Sequence, residues 1–219
     1  MRYGFKAQAE RISAKARQMV GLPEIAPLPA RVLAEAMRVA VLGPRDIPGL
    51  PEAVATQLLF EFEKNWSGVL IPVNGENVIV HNTNHLPERQ ESNIMHELAH
   101  LLCKHKPARI VPPGRFPWAS RSYDCEQEEQ AAWLGGCLQL PRCALLAALK
   151  RRLNNPAIAE FFGASVEMVR FRRNMTGIEP ELARLTGATA SMVESTGPKL
   201  RRKGSKLAAT GLILQPELF

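Results

Sequence analysis

The sequence predicts an α+β fold, mostly helical, in which a short sheet with a hairpin leads into a run of helices. Three observations predict it. Apolar residues recur at helical spacing near the N-terminus and again through the C-terminal half. Two β-branched runs flank Asn74-Gly75. The segment that follows them, LPERQESNIMHELAHLLCKH, reads as one long amphipathic helix.

Phe5, Ala9, Ile12, Ala16 and Met19 share one helical face, so roughly 5–20 is a helix closed by Gly21 and Pro23. A loop fills 23–29. Residues 30–38 read as a second helix and Val39 to Leu42 as a short strand. Residues 51–64 read as a helix with Pro51 at its first turn. Asn74-Gly75 is a strong hairpin signal, because a type I′ turn needs positive φ at both central residues. A helix over about 87–104 comes next. Residues 107–122 hold four prolines and a glycine and read as a loop. Residues 124–139 read as a helix closed by Pro141, and further helices run to about 175.

The chain has 219 residues, enough for one large or two small domains, and 46% are hydrophobic, enough for a real core. No apolar run approaches the roughly 18 residues of a membrane span. The charged N-terminus lacks the apolar stretch of a signal peptide, so the expectation is a cytoplasmic protein that meets no membrane. Cys103, Cys125, Cys137 and Cys143 form no C-x-x-C pair and are expected to be reduced and mostly buried. Residues 1–149 carry 16 Lys and Arg against 15 Asp and Glu, whereas residues 150–219 carry 12 against 6. A near-neutral body with a basic C-terminal third fits a catalytic part joined to a segment that meets something acidic, or simply a solvated surface.

All five histidines lie between 81 and 105. Among them is His96-Glu97-Leu98-Ala99-His100, an H-E-x-x-H. Positions i and i+4 of a helix share a face about 6 Å apart along the axis. Two imidazoles there can converge on one Zn²⁺, and Glu97 between them can deprotonate a metal-bound water. Composition alone predicts roughly 0.01 such motifs in a chain like this. Ile94, Met95, Leu98, Leu101 and Leu102 give the same helix a buried face.

A catalytic zinc needs a third protein ligand and one open position. The metzincin spacing would put Gly at 103 and His at 106, where this chain has Cys103 and Lys106, so that class is excluded. His105 lies about 140° round the helix from His100 and is expected to point away. A carboxylate from the segment Cys125 to Leu134 is the other source. Glu128 shares a helix face with Ala131, Ala132 and Gly135, and Glu129 shares one with Ala132, Trp133 and Gly136, so periodicity leaves both open. Tyr123, His81, His85 and Arg121 are candidate donors to an oxyanion, and nothing in the sequence selects among them.

These residues resemble the ImmA/IrrE family of zinc metallo-endopeptidases, over about residues 30–178. The resemblance rests on QESNIMHELAHLLCKH, on EEQAAWLGGCLQLPR and on IAEFFGASVEMVRFRRNMTG. It implies a third zinc ligand three residues before the Ala of the second motif, which is Glu128. It also implies one Zn²⁺ per chain and a protein substrate that is a helix-turn-helix transcriptional repressor. The chain departs from the family pattern at Ala132, where Asn or Asp commonly supports the site.

In the basic third, Ala159, Gly163 and Val169 sit at the spacing of a helix-turn-helix, with Ser165 as cap of its second helix. That helix would present Arg170, Arg172 and Arg173. They could touch DNA phosphates, or the helices could be a support packed on the rest. The second reading is favoured. The expected organisation is an N-terminal amphipathic helix and loop over 1–28, a zincin-like metallopeptidase domain over 29–141, a helix-turn-helix-like helical subdomain over 142–178 and a basic C-terminal tail over 179–219. The rival functional reading is a DNA-binding transcriptional regulator with a structural or vestigial zinc site.

Overall fold

The computed structural model describes residues 1–106, 110–111, 120–121 and 124–186, with the backbone only at 110–111, 120–121 and 186. The basic segment 187–219 lies outside the described residues. The fold is α+β and mostly helical. In chain order come α1 (Phe5–Met19), α2 (Ala30–Ala36), β1 (Ala40–Leu42), α3 (Glu52–Thr56), β2 (Gly68–Val73), β3 (Glu76–His81) and α4 (Pro87–Leu102). Then follow β4 (Ile110–Val111), β5 (Ser120–Arg121), α5 (Cys125–Gln139), α6 (Arg142–Lys150), α7 (Asn155–Phe162), α8 (Val166–Met175) and α9 (Ile178–Thr186).

The sheet has the order β1-β3-β2, with β1 parallel and β2 antiparallel to β3. Asn74 and Gly75 both have positive φ, 50° and 85°, so the hairpin takes the turn its two residues favour. Pro72 sits on β2, an edge strand, where the missing N–H costs no ladder bond. β3 buries Ile79, Val80 and His81. α4 buries Ile94, Met95, Leu98 and Ala99 in the core with Ile79 of this sheet, while His96, Glu97 and His100 stay partly exposed.

Three segments differ from the sequence expectation. The helix expected over 51–64 is α for only five residues and then widens to a π turn at Gln57–Glu61. Trp66 Nε1 donates to Leu58 O at 2.7 Å and Asn84 Nδ2 to Leu59 O at 3.3 Å, so outside donors claim carbonyls that an α ladder would use. In the loop expected over 107–122, Ile110–Val111 and Ser120–Arg121 pair as a two-residue antiparallel ribbon. The tail expected from 179 begins as α9. Gly177, at φ 61°, ends one helix, and Pro180 falls in the first turn of the next, where proline is tolerated.

The thiols also differ. None is disulfide-bonded, but only Cys137 is buried, with its pKa pushed up to about 12, chiefly by burial. Cys125 and Cys143 are exposed, because they lie on the first turns of α5 and α6, which face solvent.

Two apolar clusters form the core. One joins α1, α2, β3, α4 and α5, and the other joins α6 to α9. Phe171 packs against both. The C-terminal end of α5 is buried where they meet, and its unpaired carbonyls need donors. Ser13 Oγ donates to Cys137 O at 2.6 Å, Arg17 Nη2 to Leu138 O at 2.8 Å, and Arg172 Nε to Leu140 O at 3.0 Å. All three donor residues are fully buried. Burial pushes Arg17 down to about 10, so it still carries its charge at neutral pH, a charge that suits a helix C-terminus. Arg172 also pairs with Glu10 of α1, tying the last helices to the first. Among the described residues, no single helix is long and apolar enough to cross a membrane.

Removing Arg172 therefore takes the ion partner from the half-buried Glu10 carboxylate and a donor from the buried Leu140 carbonyl. Arg172→Ala is expected to cost about 3 kcal/mol, as for other broken buried pairs, while Arg170→Ala on the exposed face costs under ~0.5 kcal/mol. Chemical denaturation of the two variants measures both, and equal midpoints would refute the assignment.

Candidate metal centre

The site is made where α5 crosses α4. At Gly135 the two backbones touch, since a Cβ there would lie 3.5 Å from the Cα and N of His96. Glu128 lies two turns earlier on that face of α5, and Ala131 between them is fully buried. The carboxylate of Glu128 thus arrives over the histidines of α4. His96 Nε2 is 3.1 Å from Glu128 Oε2 and 3.1 Å from His100 Nε2, and His100 Nε2 is 3.6 Å from Glu128 Oε1. One ligand atom from each of the three lies within 4.8 Å of the others. The side chains remain 29%, 16% and 29% exposed for His96, His100 and Glu128, so one side is open.

These residues fit a metal ion. Four ligands at roughly 2.0–2.1 Å in a tetrahedron stand about 3.3 Å from one another, the separation seen among these atoms. Two imidazoles and one carboxylate are also the donor set that zinc takes in open sites.

The other glutamates of α5 face elsewhere. Glu129 is exposed and pairs with the Met1 ammonium at 2.8 Å, and exposed Glu126 accepts from Gln130 at 3.3 Å. Glu97, next to His96, lies over the start of β2: a Cβ on Gly68 would meet its Cγ at 3.5 Å and its Oε1 at 3.6 Å.

Electrostatics knit the cluster together. Burial alone would lower His96, but the hydrogen bond with Glu128 and the charges of Glu97 and Glu128 outweigh it and raise its pKa. Burial alone would raise Glu128, but His100 and His96, which face its carboxylate, hold it well below the usual carboxylate range.

His105 does not point away. α4 ends in a reversal at Lys104, φ 56°, in which His105 N donates to His100 O at 3.0 Å and Lys104 N to Leu101 O at 2.9 Å. The 140° offset holds only for a continuing helix. Here the left-handed residue folds His105 back, with its Nδ1 2.9 Å from His100 Nδ1 and its Nε2 3.2 Å from Gln130 Oε1. Burial lowers its pKa. Neither this contact nor Gln130 was legible, because Lys104 carries no signal for a positive φ and Gln130 none for a partner.

Of the candidate oxyanion donors, His81 and His85 are buried and committed to protein partners. Arg31 Nη2 donates to His81 Nε2 at 3.0 Å, and His85 contacts Asn93 Nδ2 at 3.1 Å and Glu63 O at 3.3 Å. Buried as they are, they do not present an N–H to a substrate. Tyr123 and the side chain of Arg121 lie outside the described residues.

Gly163, at φ 59°, closes α7, and the Ser165 side chain caps α8 on Met168 N. The arginines of α8 are not displayed together. Arg172 is fully buried between Leu140 O and Glu10, so it cannot reach a phosphate. Arg173 is held by Glu179 and Asn155, each at 2.7 Å. Only Arg170 extends into solvent, 3.7 Å from Glu167. The helical period placed all three on one helix but could not tell which face the first core would cover.

Two histidines and a carboxylate from crossing helices, with a glutamate beside them, form a cluster that could hold a metal ion. A family model described as the IrrE N-terminal-like domain of the peptidase M78 family matches residues 58–174, which run from the π turn to the end of α8. That is more than half of the chain, and the chain belongs to this family. No curated protein and no solved structure matches it.

Purified protein is expected to hold about one Zn²⁺ per chain, as a single such site requires. His96→Ala and His100→Ala should abolish it, and Glu128→Ala should weaken it far more than Glu126→Ala or Glu129→Ala. Metal analysis after dialysis decides, and full occupancy in Glu128→Ala would exclude that residue.

A second expectation concerns pH. Burial, then the neighbouring Arg31, push His81 down to about 4 from an ordinary value near 6.5. Between these values the unfolded chain binds more protons than the folded one. The contribution of His81 to stability is therefore complete above about pH 6.5 and is lost as pH falls towards 4, by on the order of 3 kcal/mol. Denaturation at a series of pH values should show this slope in the parent and a flatter one in His81→Gln.

Proposed function

We propose that the protein is a zinc-dependent endopeptidase that cleaves a helix-turn-helix transcriptional repressor. The observation that carries the peptidase reading is the convergence of His96 Nε2, His100 Nε2 and a Glu128 oxygen within 4.8 Å, with Glu97 beside them. Membership of a metallopeptidase-type family supports the same chemistry. The repressor as substrate rests on the family resemblance of the three motifs.

His96, His100 and Glu128 would hold the ion. Bound Zn²⁺ supplies Lewis acidity to the scissile carbonyl and to a water molecule. Glu97 then accepts a proton from that water and passes it to the leaving nitrogen, acting as base and afterwards as acid. The substrate has a natural track. β2 carries β3 on one side and, among the described residues, no strand on the other. An extended peptide added to that edge would satisfy unpaired backbone groups and run past Gly68, where Glu97 lies. A DNA-binding regulator has weaker support, since two of the three arginines it would use are engaged within the protein.

Glu97→Gln keeps the size of the side chain and loses the base. It should retain zinc and the fold while cleavage of a repressor substrate falls by at least about 10²-fold. Metal content, circular dichroism and gel-based cleavage test this together. Cleavage within a few-fold of the parent would refute the role of Glu97.

A further inference from the structure

We propose that His105 is a positioning residue that fixes the tautomer of His100, so that the His100 Nε2 lone pair faces His96 and Glu128. This rests on the reading of those three residues as a metal site.

The argument follows the protons inward from the surface. Glu126 Oε1 can only accept, so Gln130 turns its amide nitrogen to it at 3.3 Å, which fixes the orientation of the amide. Gln130 Oε1 is then the atom 3.2 Å from His105 Nε2, and it too can only accept. His105 Nε2 therefore carries the ring proton. In the neutral ring Nδ1 is left as an acceptor. It lies 2.9 Å from His100 Nδ1, which must donate to it. A neutral His100 protonated at Nδ1 has its lone pair on Nε2, the nitrogen that stands 3.1 Å from His96 Nε2 and 3.6 Å from Glu128 Oε1. That is the form a metal requires.

The backbone supports the same relay. The reversal at Lys104 places His105, and the hydrogen bond from His105 N to His100 O holds the two rings 4.9 Å apart at 74°. Such outer partners of a ligating histidine set its orientation and basicity. Ala132 offers no polar group, whereas His105 and Gln130 supply one to the other helix of the site.

The tautomer can be read without metal. Long-range ¹H–¹⁵N spectra of the metal-free full chain, labelled at histidine, should show His100 protonated at Nδ1 in the parent. His105→Leu removes the acceptor, and His100 should then populate the Nε2-protonated form. Zinc competition against a chromophoric chelator should show His105→Leu weaker by about 10- to 100-fold, while His105→Asn, whose Oδ1 can replace the Nδ1 acceptor, stays within about threefold of the parent. An Nε2-protonated His100 in the parent, or parent-like zinc affinity in His105→Leu, would overturn the proposal. So would a loss in His105→Asn equal to that in His105→Leu. A parent that binds no zinc would instead overturn the metal reading, whatever the tautomer.

Discussion

The close crossing of α4 and α5 at Gly135 is the constraint on which the site depends. The two histidines need only the period of one helix. A third donor from another helix needs that helix at backbone contact, because a carboxylate reaches only a few ångströms. Gly135 against the backbone of His96 provides the approach, and buried Ala131 continues it towards Glu128. The adjacent Gly136 does the same on the other side, where a Cβ would lie 3.3 Å from Arg172 Cδ and 3.4 Å from Met168 Sδ. α5 is thus packed between two layers, and its position is set from both.

Burying α5 this way has an electrostatic consequence. Its C-terminal carbonyls are shut off from water, and an unpaired buried carbonyl is costly. Ser13, Arg17 and Arg172 resolve this from α1 and α8. The last helices are therefore part of the mounting of Glu128 and not an arm attached to it. The same fact explains why α8 turns an arginine inward. Arg172 serves the core, and Glu10 and the helix terminus balance its charge.

The sequence made the element order legible because periodicity, Asn74-Gly75 and the prolines report on local backbone, and the sheet and helices follow those signals. It also made the α4 face legible, since His96 and His100 are related by one helical turn. What it could not carry is phase between elements. Met19 reads as part of the apolar face of α1 and is 54% exposed, while polar Ser13 and Arg17 of the same helix are fully buried. Glu128 and Glu129 share almost the same periodicity, and only the tertiary crossing sends one towards the histidines and the other to the N-terminus. His105 was misread for a different reason. A helix-end reversal usually announces itself with glycine, and here lysine adopts the left-handed conformation, so extrapolating the helix gave the wrong direction.

The site's own charges complete the picture. His96 is raised in pKa mainly through its hydrogen bond with Glu128, while Glu128 is lowered by His100 and then by His96. Beyond the three donors, His105 and Gln130 sit on the side of His100 away from them. The reversal at Lys104 serves both ends of the problem: it caps the carbonyls of α4 and returns a ring that decides which nitrogen of His100 is free.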